Sequence, residues 1–255
     1  MGLAAPCLCV TVQAQAVGDT LRHAATLSVG AFNEFRRDDA DSPLAYGGTG
    51  FDARLDYVRR RGTRRWYFAL AAGNATIVPR QFSAESGSEE AFGAYTLEAG
   101  TDWTLRGGSG RAGDFALGVQ FGASVTVARH LYQSQEITEQ TFDLATLTLA
   151  PALRWTRRLG AGVLTASVAL PLVAWVDHPY SDVRFANQFV DFRFVPVTEF
   201  RQVDGVVAYD ISPHTTYGFT IAYRVGAVEL DDLQPVRRVS QTFTVAVVRR
   251  FGPVP

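Results

Sequence analysis

Lysine is absent, cysteine nearly so, and no long apolar run occurs in this 255-residue chain. The 24 basic side chains are all arginine and the acids number 25, for a formal net charge of −1, so no basic excess exists to hold nucleic acid. No stretch of about 18 or more apolar residues is present, which excludes a membrane-spanning helix. Apolar and polar residues are spread evenly, without the shift in composition that would mark a domain boundary. The mean hydropathy of +0.03 is ordinary for a water-soluble protein. It is equally ordinary for a chain that hides its apolar residues in alternation. There is no EF-hand spacing and no phosphate-binding glycine loop. Solvated loop charge is therefore the default reading of Asp38, Asp39, Asp41, Glu85, Glu89, Glu90, Asp231 and Asp232.

The two cysteines, Cys7 and Cys9, both fall in GLAAPCLCVTVQAQA, a small, apolar segment that ends on Ala14-Gln15-Ala16. Such a segment reads as the apolar region and A-x-A cleavage site of a secretory signal peptide. The usual basic start is missing, which points to a truncated or mis-called start. A lipoprotein acceptor role for Cys7 fits poorly with Pro6 directly before it. Residues 1–16 are set aside as signal peptide, and residues 17–255 are read as a single domain without cysteine.

What the chain does have is period-two alternation, which gives each strand one apolar and one polar face. Near the C-terminus, VSQTFTVAVVRRF sets Phe243, Val245 and Val247 against Thr242, Thr244 and Ala246. The first strand, about Leu21 to Phe35, puts Leu27, Val29 and Ala31 on one face. FDARLDYV sets Phe51, Ala53, Leu55 and Tyr57 against Asp52, Arg54 and Asp56, and a soluble core has no use for that second face. The scheme repeats in a strand carrying Tyr95, Leu97 and Trp103, one carrying Phe115 to Val127, and later ones carrying Leu147 to Trp155, Leu164 to Leu170, Val203 to Tyr209 and Tyr217 to Val225. Pro171 predicts a one-residue bulge that moves the outward parity from Leu170 to Val173 and Trp175. The count is about ten strands, within a range of eight to twelve.

Tight connections at RRRGTRR, RGGSGRAGD, RRLGAG and Ser212-Pro213-His214 alternate with longer polar ones: RRDDADSP, residues 80–90, QSQEITEQ, residues 177–200 and LDDLQPVRR. Tyr57, Trp66, Trp103, Trp155, Tyr209 and Tyr217 flank the tight ones, where an aromatic girdle at lipid headgroup level belongs. In these features the chain resembles the outer-membrane β-barrel superfamily of Gram-negative bacteria. The resemblance implies an all-β, up-and-down antiparallel transmembrane barrel in the cell outer membrane, with short periplasmic turns and longer extracellular loops. It also implies the lipid bilayer, lipopolysaccharide and the barrel-assembly machinery as partners. In that superfamily the last strand ends on an aromatic read as an assembly signal; Phe243, Val245, Val247 and Phe251 match. Arg249 and the trailing Gly252-Pro253-Val254-Pro255 depart from the pattern. If the barrel closes, the last strand pairs with Leu27, Val29 and Ala31 of the first.

The polar parity collects Asp52, Arg54, Asp56, Glu98, Asp102, Arg154 and Arg224 in an interior expected to be otherwise small and polar. They read as a salt-bridged plug or as the charged constriction of a narrow pore. The expected function is accordingly non-enzymatic: a structural, adhesive or narrow-pore protein with no cofactor and no metal. The alternative is an outer-membrane hydrolase, of lipase, deacylase or protease type, with a site at the extracellular rim. Its residues would be His130 with Ser134 and Glu136, or Asp177-His178 with Asp231-Asp232. The apolar faces of the seventh strand permit a subunit contact, and the oligomeric state stays open.

Overall fold

The computed structural model describes residues 22–38, 42–79, 88–105, 113–132, 138–177, 192–231 and 235–252. Twelve strands account for nearly all of them: β1 (Arg22–Asp38), β2 (Ser42–Arg61), β3 (Arg64–Pro79), β4 (Ser88–Leu105), β5 (Asp114–Tyr132), β6 (Thr138–Leu159), β7 (Gly162–Ala169), β8 (Val173–Asp177), β9 (Arg193–Pro196), β10 (Phe200–Asp210), β11 (Tyr217–Leu230) and β12 (Val236–Phe251). Each neighbour pair is antiparallel. The order β5-β4-β3-β2-β1-β12-β11-β10-β7-β6 returns to its start through β5–β6 pairing, so the sheet is a closed barrel. β7 and β8 are two lengths of one stave and β9 and β10 two lengths of the next, which makes ten staves. Closure pairs every stave with both of its neighbours, a requirement in lipid, where no water can satisfy a free N–H or C=O, and only the short β9, at the long-loop end, is paired on one side alone among the described residues.

The seam pairs Leu27 with Val247, Val29 with Val245 and Ala31 with Phe243, the partners expected of a barrel that closes. In the seventh stave β6 pairs Ala152 with Ala169 but Leu149 with Val173, so three steps on one strand face four on the other. That is the one-residue bulge the proline predicted. Leu170 and Leu172 both face outward, Trp175 follows them, and Ala174 and Val176 turn inward. At two tight hairpins Gly62 and Gly160 take φ of 57° and 58°, the left-handed conformation a two-residue connection needs.

β-Structure runs further than the sequence pattern suggested. RRDDADSP was expected to be loop, yet β1 continues to Asp38 and β2 starts at Ser42, leaving only residues 39–41 between them. β4 starts at Ser88, and β9 lies inside the expected 177–200 connection. Strands of 16 to 22 residues are far longer than the roughly ten that cross a bilayer. Polar residues can extend a strand into water because the neighbouring stave still satisfies their backbone groups. Connection length consequently alternates less strictly than expected: the two ends differ in where the strands stop rather than in loop length alone.

The outside is apolar. Leu27, Val29, Phe51, Leu55, Phe219, Phe243, Val245 and Val247 are each at least half exposed and lie side by side across the seam. An unbroken belt of this kind has no counterpart on a soluble monomer and is the surface a bilayer covers.

Candidate functional site: the barrel interior

The inward residues form three levels. Nearest the tight-turn end, Arg154 on β6 reaches Asp102 on β4 with two charge-assisted bonds, Nη2 to Oδ1 at 2.7 Å and Nε to Oδ2 at 3.2 Å. Both residues are buried. Arg65 on β3 brings its Nε within 3.0 Å of the same Oδ2, close enough for attraction but misdirected for a hydrogen bond. Across the mouth Arg250 pairs with Asp210 and donates to the carbonyls of Ser212 and Thr215, tying β12 to the β10–β11 turn.

At mid-depth lies a cavity of about 390 Å³. Arg54 grips Glu98 with both terminal nitrogens, at 3.0 and 2.7 Å, while its Nε donates to Asp56 at 2.8 Å. Bidentate geometry of this kind fixes the guanidinium plane. Arg224, from the far side of the seam, stands 3.9 Å from Asp56, and its Nη1 is buried without a hydrogen-bond partner. Asp52 and Asp204 also line this cavity, and Asp204 accepts a bond from Gln202 at 2.6 Å. Four carboxylates therefore face two arginines at this level.

The third level, toward the opposite end, is where the expectation of a small, polar interior fails. One apolar cluster joins Phe32, Ala75, Ile77, Phe92 and Ala94 from β1, β3 and β4. A second joins Leu144, Ala174, Val176, Val195, Phe200, Leu230 and Val236 from the facing staves. Phe32 and Phe92 stack at 6.3 Å although two strands separate theirs. Arg238 on β12 holds Glu34 at 2.5 Å and lays its guanidinium over the Phe92 ring at 5.0 Å. With β1, β2 and β3 between β12 and β4, that contact crosses the lumen. Large side chains meeting from opposite walls can fill a barrel this narrow.

All seven interior charges named from the sequence face this lumen: Asp52, Arg54, Asp56, Glu98, Asp102, Arg154 and Arg224. They divide into two groups. Asp102 and Arg154 form one, and the other five surround the mid-depth cavity. Of the six aromatics, Tyr57, Trp103 and Tyr217 are exposed on the outer face, and Trp66, Trp155 and Tyr209 are half-buried there among outward neighbours. Arg64 lies over both Trp66 and Trp103, at 4.6 and 5.3 Å, a cation–π arrangement suited to headgroup depth. Phe243, Val245, Val247 and Phe251 point outward along β12. His130 sits on β5 opposite Glu90 of β4 and Glu139 of β6, whereas Ser134, Glu136, His178 and Asp232 lie outside the described residues. Asp177 is buried and Asp231 exposed. Among the described residues no group of three metal-ligating side chains occurs.

Residues missed in the sequence include Arg65, Asp204, Glu34 and Arg238. Parity along Val203, Val207 and Tyr209 would have put Asp204 inside. The run WYFAL offered no such guide for Arg65, because apolar residues occupy both faces there.

No protein-family model matches this chain, and no curated protein does. Among solved structures, the outer membrane protease OmpT from Escherichia coli is similar over 92% of this chain and 98% of its own, with 10% identity and a TM-score of 0.50. The translocator domain of the autotransporter NalP from Neisseria meningitidis aligns over 92% and 89%, at 10% identity and a TM-score of 0.46. Ail, the attachment invasion locus protein of Yersinia pestis, aligns over 89% and 98%, at 13% identity and a TM-score of 0.39. At such identity the first of these likenesses speaks for the fold alone: the chain is a closed transmembrane β-barrel of the outer-membrane type.

Proposed function

We propose that this is a non-enzymatic barrel of the bacterial outer membrane, with a closed lumen and a structural or adhesive role exercised at its long-loop end. The observation that carries the reading is the pair of apolar clusters filling that end from opposite walls, bridged by the contact of Arg238 with Phe92. Ions crossing the barrel would have to pass between these two apolar walls and the Arg238–Glu34 pair after leaving the charged cavity. Hydrophobic constrictions of that kind block conduction even where the rest of a lumen is wet.

In this reading the aromatics and arginines beside the tight turns lie at the periplasmic headgroups, and the long-loop end meets lipopolysaccharide. β12, with Phe243, Val245, Val247 and Phe251 along its outer face, serves as the strand the assembly machinery recognises. The interior ion pairs hold the staves together rather than select a solute.

Planar-bilayer recording of the refolded chain tests this. The closed barrel gives no steady conductance. Steady, ion-selective steps that change when Glu98→Gln or Arg224→Gln is introduced would establish a narrow pore instead. Lipid or peptide turnover lost in His130→Ala would establish the rim hydrolase.

A further inference from the structure

The tight-turn mouth has an arrangement of charge that the closed-barrel reading does not use. Arg22 of β1 stands directly opposite Arg60 of β2, and across the other edge of β2 the same Arg60 faces Arg65 of β3. All three lie on the inward parity, so three arginine side chains leave adjacent strands toward the same mouth. They line a cavity of about 290 Å³, together with Arg154 and Arg250. Like charges directly opposite one another on a sheet repel. An antiparallel sheet offers many other residues for such positions.

Two of the acids within reach are already engaged. Asp102 accepts two bonds from Arg154 and stands 3.0 Å from Arg65 Nε without a hydrogen bond, and Asp210 is held by Arg250. Among the described residues neither Arg22 nor Arg60 has an ion-pair or hydrogen-bond partner. Arg60 feels two arginines, Arg154 and Arg22, against two acids, Asp102 and Asp114, and Asp102 is already committed to Arg154. Five arginines thus share a cavity whose lining contributes Asp210 as its single acid. Thr156 and Thr165 supply hydroxyls to the same space.

We infer that this mouth binds a small multivalent oxyanion, bridged by Arg22 and Arg60 and drawn from phosphate or carboxylate chemistry. The planar forks of two guanidinium groups on neighbouring strands match the paired oxygens of either group. An anion seated between them turns the cross-strand repulsion into two charge-assisted contacts. The mouth opens beside the tight turns, away from the apolar clusters, so a solute reaches it without crossing the closed layer.

Titration calorimetry on the refolded full-length chain in uncharged detergent at low salt tests the site, with inorganic pyrophosphate and citrate as probes. At least one probe binds the unaltered protein, and its affinity falls about tenfold or more in Arg60→Gln, as expected for the loss of one charge-assisted contact. Arg22→Gln gives the same loss and decides the matter if the first variant does not refold. Arg59→Gln, whose side chain lies on the outer face over Trp66, binds within about twofold of the unaltered protein. Binding of pyrophosphate alone assigns phosphate chemistry, and binding of citrate alone assigns carboxylate. No heat from either probe up to about 10 mM overturns the proposal, as does an equal loss in Arg59→Gln.

Discussion

Replacing Asp102 with alanine isolates the energetics of the interior. The carboxylate is 4% exposed and Arg154 is 8% exposed, so water cannot take over when the pair is broken. Asp102→Ala strands the Arg154 guanidinium, which loses contacts of 2.7 and 3.2 Å, and removes the neutralising charge 3.0 Å from Arg65. Breaking one partner of a buried pair costs about 3–5 kcal/mol. Arg65 is partly exposed at the mouth and can recruit water, which places the expectation near the lower figure, about 3 kcal/mol. Arg154→Ala is milder, at about 1–2 kcal/mol, because Asp102 keeps Arg65 as a counter-charge. Replacing both Asp102 and Arg154 with leucine leaves nothing buried and unpaired between them and costs under about 1 kcal/mol. Urea unfolding of the refolded protein in phospholipid vesicles, followed by the fluorescence of its four tryptophans, measures all three. A loss below about 1 kcal/mol in Asp102→Ala, or a larger loss in Arg154→Ala, would refute the reasoning by showing that the pair is not desolvated.

Other consequences are open to the same apparatus. Val245→Arg, on the outer face beside Val29 and Ile221, should cost about 2–4 kcal/mol in vesicles, as a charge does near mid-bilayer; little effect there would mean that this face does not meet lipid. Gly30→Ala should destabilise the seam by about 1–3 kcal/mol, because a Cβ at that position would lie 2.1 Å from the Phe243 carbonyl oxygen. Gly73→Ala, whose nearest neighbour would be 3.5 Å away, should stay within about 0.5 kcal/mol by the same measurement. Phe92→Ala removes the stack on Phe32 and the seat of Arg238, and should convert an electrically silent barrel into one with intermittent conductance.

Much of the barrel was legible because its chemistry repeats every two residues. Asp52, Arg54 and Asp56 announce an interior face, and a bulge between Ala169 and Val173 could be anticipated at Pro171 from the change of parity around it. Strand ends were less legible. Pairing carries Arg36 to Asp38 and Ser42 to Gly47 on as strand beyond the apolar belt, where composition looks like loop. The apolar layer was missed for a different reason. Phe32, Ile77, Phe92 and Leu230 lie on the inward parity of four distant strands, and only the closed ring brings them together. On any one strand such a residue looks like an exception to a polar face. The mouth arginines were hidden in the same way: RRRGTRR reads as a polar turn until register sets Arg60 against both Arg22 and Arg65.

The closed lumen is tested most directly by thiol accessibility. Thr96 lines the mid-depth cavity, below the apolar clusters. With Cys7 and Cys9 replaced by serine, Thr96→Cys is exposed to a membrane-impermeant maleimide on intact cells. With the lumen closed, no labelling is expected until the outer membrane is permeabilised, and intact cells are labelled once Phe92→Ala is added to the same chain. Prompt labelling of Thr96→Cys on intact cells with Phe92 in place would contradict it.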